Sequence, residues 1–183
     1  MAKYLTTPLN EDKVKDLKIG DEIFLSGTIY TARDAAHKKL VDLLKENKKL
    51  PFDVEGSIIY YVGPSPAQPG QAIGAAGPTT SYRMDPFVED LLLVGMKGMI
   101  GKGARSKNVI DGLKKHCAVY FGATGGAAAL ISKTITKAEV IAFDELGPEA
   151  VRRIEVKDMP LIVINDCKGN DLYMEGRKKW EII

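Results

Sequence analysis

Apolar side chains in this chain recur at two spacings that trade places along its length. That mixture constrains the fold more than any other feature. Residues 22–30 put Ile23, Leu25 and Ile29 on one face with a period of two, as a strand does. Directly after them, Ala36, Leu40, Leu43 and Leu44 give an apolar helical stripe running to about Asn47. Thr31, with Asp34 three residues on, has the form of a capping box and marks the expected helix start. A second strand is expected over 57–62, and buried strands over 118–122, 139–143 and 161–164. Shorter helices are expected over 11–18, closing at Gly20-Asp21, and from Asp85-Pro86, with proline at the first helical position and Gly95 past the end. Another is expected after Ser106, through about Leu113, and residues 149–153 read as one helical turn or more. Strands and helices mix without a strict strand–helix–strand rhythm, so the expected class is α/β with a mixed or split sheet. No linker long enough to divide the chain is present, and 183 residues suffice for one core, so a single domain over 1–183 is expected.

A net charge of +2 gives no reason to expect nucleic acid or another polyanion as partner, so basic residues matter only where they cluster. No apolar run approaches the roughly 18 residues of a membrane span. Met1-Ala2-Lys3-Tyr4 carries no apolar signal region, and a cytoplasmic protein is expected. Cys117 and Cys167 stand far apart in sequence, and His37 and His116 are the only histidines. Zinc ligands usually come in close pairs, so the two cysteines read as reduced, partly buried thiols.

Three segments hold cations in constrained backbone. In the first, Arg33 and His37 are four apart and share a helix face with Leu40, Val41 and Leu44. Arg33 thus sits at a helix start that favours an anion. The segment equally fits an arginine paired with Asp34 or a neighbouring carboxylate. In the second, Thr79, Thr80 and Ser81 precede Arg83 and a helix, a layout suited to a carboxylate or phosphate. By itself it also fits a capping loop with an exposed arginine. In the third, Lys102 lies between two glycines after a short apolar strand. The nucleotide-binding spacing G-x-x-x-x-G-K-[ST] is absent, because Gly103 follows Lys102 and Met96 stands where the first glycine would be. A glycine-rich turn at 122–126 allows either ligand approach or close packing.

Taken in order, these segments resemble the β subunit of the class I fumarases and L-tartrate dehydratases, which is the C-terminal domain of single-chain members. The matching stretches are Gly27-Thr-Ile-Tyr-Thr-Ala-Arg-Asp-Ala-Ala-His-Lys38, Tyr61-Val-Gly-Pro64, Gly77-Pro-Thr-Thr80 with Arg83-Met-Asp85, Gly101-Lys-Gly with Arg105-Ser106, and Gly122 with Gly125-Gly126. Ser81-Tyr82 depart from the pattern, which has two small residues there. The resemblance implies a three-layer β/β/α swivelling-type domain with mixed sheets. It implies a [4Fe–4S] cluster held by three cysteines of a larger α subunit, with which this chain would form a heterotetramer, and none held by this chain alone. It implies an active site shared between the two. The activity implied is reversible hydration of fumarate to L-malate, with L-tartrate dehydration as the alternative and a non-catalytic swivelling or assembly module as a third reading. Arg33, Arg83 and Lys102 would contact the carboxylates of a C4 dicarboxylate, and Thr79 would take part in proton transfer. Asp34, His37, Asp85 and Arg105 would orient them from behind.

Overall fold

The computed structural model describes residues 2–124 and 126–181. The elements run β1 (Lys3–Thr6), α1 (Glu11–Lys15), β2 (Glu22–Thr31), α2 (Asp34–Lys45), β3 (Ile58–Tyr60), α3 (Asp85–Leu93), β4 (Gly98–Gly101), α4 (Lys107–Lys115), β5 (Val119–Gly122), α5 (Ala128–Ser132), β6 (Ile135–Ala142), β7 (Val151–Asn165) and α6 (Leu172–Trp180). The seven strands form one mixed sheet in the order β1-β2-β3-β4-β5-β7-β6.

Two long strands organise that sheet. β7 pairs antiparallel with β2 from Glu22↔Ile162 to Thr31↔Arg152. The other edge of β2 is shared, with β1 alongside residues 23–26 and β3 alongside Tyr30 and Thr31. The other edge of β7 is shared too, by β6 along 151–156 and by β5 along 162–165. β2, β3, β4 and β5 are mutually parallel, and the β2–β7 pairing closes them into a ring. β2 changes partner at a bulge between Leu25 and Gly27. Gly27 holds a φ of 115°, and a Cβ there would strike the Thr7 hydroxyl, so only glycine fits the bend.

Apolar residues are buried on both sides of β3–β5, which explains why these strands read as unbroken apolar runs. Leu25, Ile29, Tyr60, Phe121, Ile154 and Leu161 pack inside the ring. Leu40, Ile59, Tyr61, Leu91, Met99 and Leu113 pack between the strands and helices α2, α3 and α4. Two expected helix starts are present: Asp85-Pro86 opens α3, and the Ser106 hydroxyl caps α4 by accepting from Val109 N.

Several local expectations are corrected. Thr31 does not cap α2; it ends β2, and its hydroxyl accepts from Arg152 N at 3.1 Å across the β2–β7 pair. Arg33 occupies the cap position in extended backbone with no side-chain cap bond. The strand expected to be buried over 139–143 lies in β6, which pairs only with β7 and keeps most of its residues in contact with solvent. Residues 161–164 are the end of the 15-residue β7. Residues 149–153 are not helical beyond their first position: a 3-10 turn covers Asp144–Glu149, and β7 begins at Val151. Gly125, in the glycine-rich turn, lies outside the described residues. No helix among the described residues is long and apolar enough to cross a membrane.

Candidate active site

Parallel strands end on one side of a sheet, and crevices in α/β folds open there. β2, β3 and β4 all run that way, so the segments leaving them are neighbours. Arg33 lies two residues beyond β2, Lys102 one residue beyond β4, and Thr79 and Arg83 in the long connection after β3.

The backbone ties these segments together. Thr79 N donates to Tyr61 O at 2.6 Å, Lys102 N to Thr79 O at 3.3 Å, and Ser81 N to Lys102 O at 2.9 Å. Tyr120 reinforces the contact, with its hydroxyl 2.9 Å from Ser81 Oγ and donating to Gly103 O at 3.0 Å. A Cβ on Gly101 would collide with Ser81 Oγ, so the approach needs a glycine. The departure at Ser81-Tyr82 thus divides: Ser81 is fully buried in this junction, while Tyr82 is 63% exposed.

Arg33 and Arg83 converge on one carboxylate. Arg83 Nε donates to Asp34 Oδ1 at 2.8 Å, and Arg33 Nε lies 4.0 Å from Asp34 Oδ2. Arg33 Nη2 is 3.6 Å from Glu149 Oε1, whose second oxygen accepts from Ala35 N at 3.1 Å. The Arg33 side chain is 23% exposed and that of Arg83 42%. Arg33 Nε and Asp34 Oδ2 are nonetheless buried without a hydrogen-bond partner. Arg33 passes so close to the main chain that a Cβ on Gly63 would stand 2.6 Å from its Nη1. Lys102 is exposed beside Thr79, and it makes no ion pair among the described residues. The arrangement therefore brings two guanidiniums to one carboxylate, and leaves the Lys102 ammonium without an ion-pair partner among the described residues on the segment that pairs with Thr79.

Asp85, Arg105 and His37 stand behind this surface. The Arg105 side chain is fully buried; its Nε donates to Asp85 Oδ1 at 2.8 Å, and Asp85 Oδ2 accepts from Ser106 N at 2.7 Å. Its guanidinium lies 4.8 Å from the Tyr120 ring centroid and 5.4 Å from that of Tyr61. His37 is buried, with Nδ1 2.9 Å from the Arg33 carbonyl. Burial pushes its pKa down to about 4, so at neutral pH the ring is uncharged, Nδ1–H donates to that carbonyl and Nε2 is an acceptor. Sequence reasoning brought in Arg33, Asp34, His37, Thr79, Arg83, Asp85, Lys102 and Arg105, and the structure gathers all of them at one end of the strands. It assigned nothing to Glu149, Gly63 or Tyr61. Gly63 and Tyr61 stand inside a stretch that carries the family resemblance, but Glu149 lies 114 positions from its partner Ala35 and gave no local signal.

The residues present do not fit an iron–sulfur cluster. Among the described residues no three His, Cys, Asp or Glu side chains sit together as metal ligands. Cys117 and Cys167 are free and half-buried, lying 4.0 Å and 3.9 Å from the Glu11 and Val14 carbonyls of α1. Burial, and then the adjoining Cys117 thiol, push the Cys167 thiol up to about 11. Cys117 precedes β5, whereas the candidate site lies beyond the opposite ends of the strands parallel to it.

Residues 3–176 match the family model described as "Fumarase C-terminus". A protein of Methanocaldococcus jannaschii described as an L(+)-tartrate dehydratase subunit beta is 42% identical over 183 residues, covering 97% of this chain and 94% of that protein. Fumarate hydratase 2 of Leishmania major is 43% identical over 85% of this chain but only 28% of its own length. The anaerobic class I fumarate hydratase of Escherichia coli is 39% identical over 93% of this chain and 32% of its own length. The chain thus spans about a third of these fumarate hydratases and nearly all of the separate β subunit.

Proposed function

This chain belongs to the fumarase C-terminus family, and from that premise we propose that it is the β subunit of a class I, iron–sulfur-dependent hydro-lyase acting on a C4 dicarboxylate, with fumarate and L-malate as its substrates. The observation that carries this is the convergence of Arg33 and Arg83 on Asp34, with Arg83 two residues after Ser81, whose N–H donates to Lys102 O beside Thr79.

A dianion entering a closed site needs fixed counter-charges. Here Arg33, held by Glu149 and Gly63, would grip one carboxylate, and Arg83 and Lys102 would complete the clamp. Removing a proton next to a carboxylate builds charge on that group, and a fixed guanidinium stabilises it. Asp34 loosens its hold on Arg83 as the substrate carboxylate takes over the Nε donor. In this reading the Thr79 hydroxyl would hold or pass the proton, and its backbone is fixed on both sides by Tyr61 and Lys102. A threonine hydroxyl is a weak base by itself, so a carboxylate of the larger subunit would have to activate it. The [4Fe–4S] cluster of this enzyme class, which supplies Lewis-acid chemistry, is assigned to that larger subunit because this chain's donors do not fit it. The pair would form a heterotetramer in the cytoplasm. The two buried layers on either side of β3–β5 support a three-layer β/β/α arrangement of swivelling type within one domain.

L-tartrate dehydration is the second reading, favoured by the near full-length likeness to a separate subunit of that description. Co-expression with the larger subunit, followed by anaerobic assay with fumarate, L-malate and L-tartrate, tests both. Fumarate turnover is expected. Turnover of tartrate alone would replace the first reading with the second, and turnover of neither by an assembled, cluster-loaded pair would refute both.

A further inference from the structure

The sheet ends in β1 on one side and β6 on the other, and the fold treats these two edges differently. At β1, four residues long, Lys13 of α1 donates its Nζ to the Thr6 carbonyl at 2.8 Å. At β6, eight residues long, β7 supplies the only hydrogen bonds that the described residues make to the strand's backbone. The outer edge of β6 is therefore a row of N–H and C=O groups open to pairing with another strand. Bulges between Ile135 and Lys137 and between Val140 and Ala142 leave Lys137–Val140 as its regular stretch. Bulges and charges can serve merely to blunt an edge. The order of charges here has a further property: exposed Lys137 and exposed Glu139 stand symmetrically about Ala138, so the stretch is complementary to itself.

We propose that the free edge of β6 pairs with the same edge of a second copy of this chain, antiparallel about a two-fold axis through Ala138, so that two sheets become one. A two-fold contact uses one patch twice and must match itself. In this register Lys137 of each protomer stands opposite the partner's Glu139, and the small side chain of Ala138 meets its own copy at the axis. Residues directly opposite in an antiparallel pair share a face, and opposite charges there attract. Within one chain Glu139 already stands opposite Arg153, with Arg153 Nη2 2.7 Å from Glu139 Oε2, and Lys137 stands opposite Glu155. The contact would extend this alternation across four strands: Arg153, Glu139, the partner's Lys137, the partner's Glu155. The charges also fix the register. Centring the pair on Lys137 or on Glu139 would set that residue against its own copy, like charge against like. A strand of some other protein would have no reason to match this order; a second copy matches it by symmetry. The inference goes beyond the hydro-lyase reading and does not depend on it.

Sedimentation velocity of the chain from low to high micromolar concentration tests this. The wild-type chain should form a dimer. Lys137→Glu and Glu139→Lys each set like charges opposite one another at both symmetry-related positions, and each should weaken the dimer at least about tenfold. An equimolar mixture of the two variants restores opposite charges at both positions, so it should dimerise again while each variant by itself does not. Circular dichroism and thermal unfolding establish that both variants are folded, as their exposed positions lead one to expect. Ala138→Cys gives a second measurement. Residues on the axis of an antiparallel pair have Cα atoms about 4.5–5.5 Å apart, within disulfide reach, so oxidised glutathione should link this variant into a covalent dimer whose bridge maps to position 138. A wild-type chain that stays monomeric at high micromolar concentration would overturn the proposal. So would variants that dimerise as wild type does, a mixture of folded variants that remains monomeric, or a dimer in which Ala138→Cys forms no bridge at that position.

Discussion

Gly63→Ala isolates the placement of Arg33 from every other property of the site. Gly63 is absent from the positive-φ positions, so alanine suits its backbone. The new Cβ would stand 2.6 Å from Arg33 Nη1 and 3.2 Å from its Cδ, with the Pro148 carbonyl at an ordinary 3.5 Å. Reaching a normal separation of about 3.5 Å moves the guanidinium by roughly 0.9 Å. A misplacement of about 1 Å at a substrate-positioning group costs on the order of 100-fold in rate, equivalent to about 2.7 kcal/mol of transition-state stabilisation. Stability should respond in the opposite sense, since alanine narrows the unfolded ensemble by about 0.4–1 kcal/mol where its backbone is compatible. The assay is kcat/KM for fumarate hydration by the assembled pair under anaerobic conditions, with thermal unfolding of the chain alongside. Gly176→Ala serves as control, because nothing lies within 4 Å of the added carbon. A folded Gly63→Ala enzyme with wild-type kcat/KM would refute the claim that Arg33, as positioned here, holds substrate.

Arg83→Lys keeps the charge but loses the planar fork; kcat/KM should fall roughly 100-fold, about 3 kcal/mol, with unfolding temperature and assembly nearly unchanged because the side chain is 42% exposed. His37 makes stability depend on pH. Its folded pKa, about 4, lies below the 6.5 of the unfolded chain, so its contribution is complete above pH 6.5 and is lost as pH falls toward 4. Urea unfolding from pH 7 to pH 4 should show a loss of about 3 kcal/mol that His37→Gln abolishes, and an equal slope in both proteins would count against a neutral buried imidazole.

The parts of this molecule that are local in sequence were legible there. Ser106 capping α4 and Pro86 opening α3 each depend on a few adjacent residues, and both were read correctly. The closeness of the cation-bearing segments was legible as well, because small and hydroxyl residues gather where backbones approach each other, as Gly101 does at Ser81. What failed depends on distant partners. Thr31 has the sequence of a cap, yet its hydroxyl bonds Arg152 because β7 lies beside it. β6 has the composition of a strand, but only its position at the sheet edge leaves it exposed. Glu149 escaped for the same reason: it meets α2 from the far end of the chain.

The ring that β7 completes also limits how early the chain can finish folding. β2 and β7 stand well over a hundred residues apart in sequence, as the Thr28–Glu155 hydrogen bond across 127 positions shows. A nascent chain halted before β7 holds β2, β3, β4 and β5 in sequence but has nothing to join its two outer edges. Contacts of such long range repay their closure entropy only once both ends are available. The ring therefore closes only once residues 151–165 are available to pair with β2 and β5. Premature termination ahead of residue 151 leaves the outer edges of β2 and β5 unpaired, and unpaired strand edges of this kind recruit other chains and aggregate.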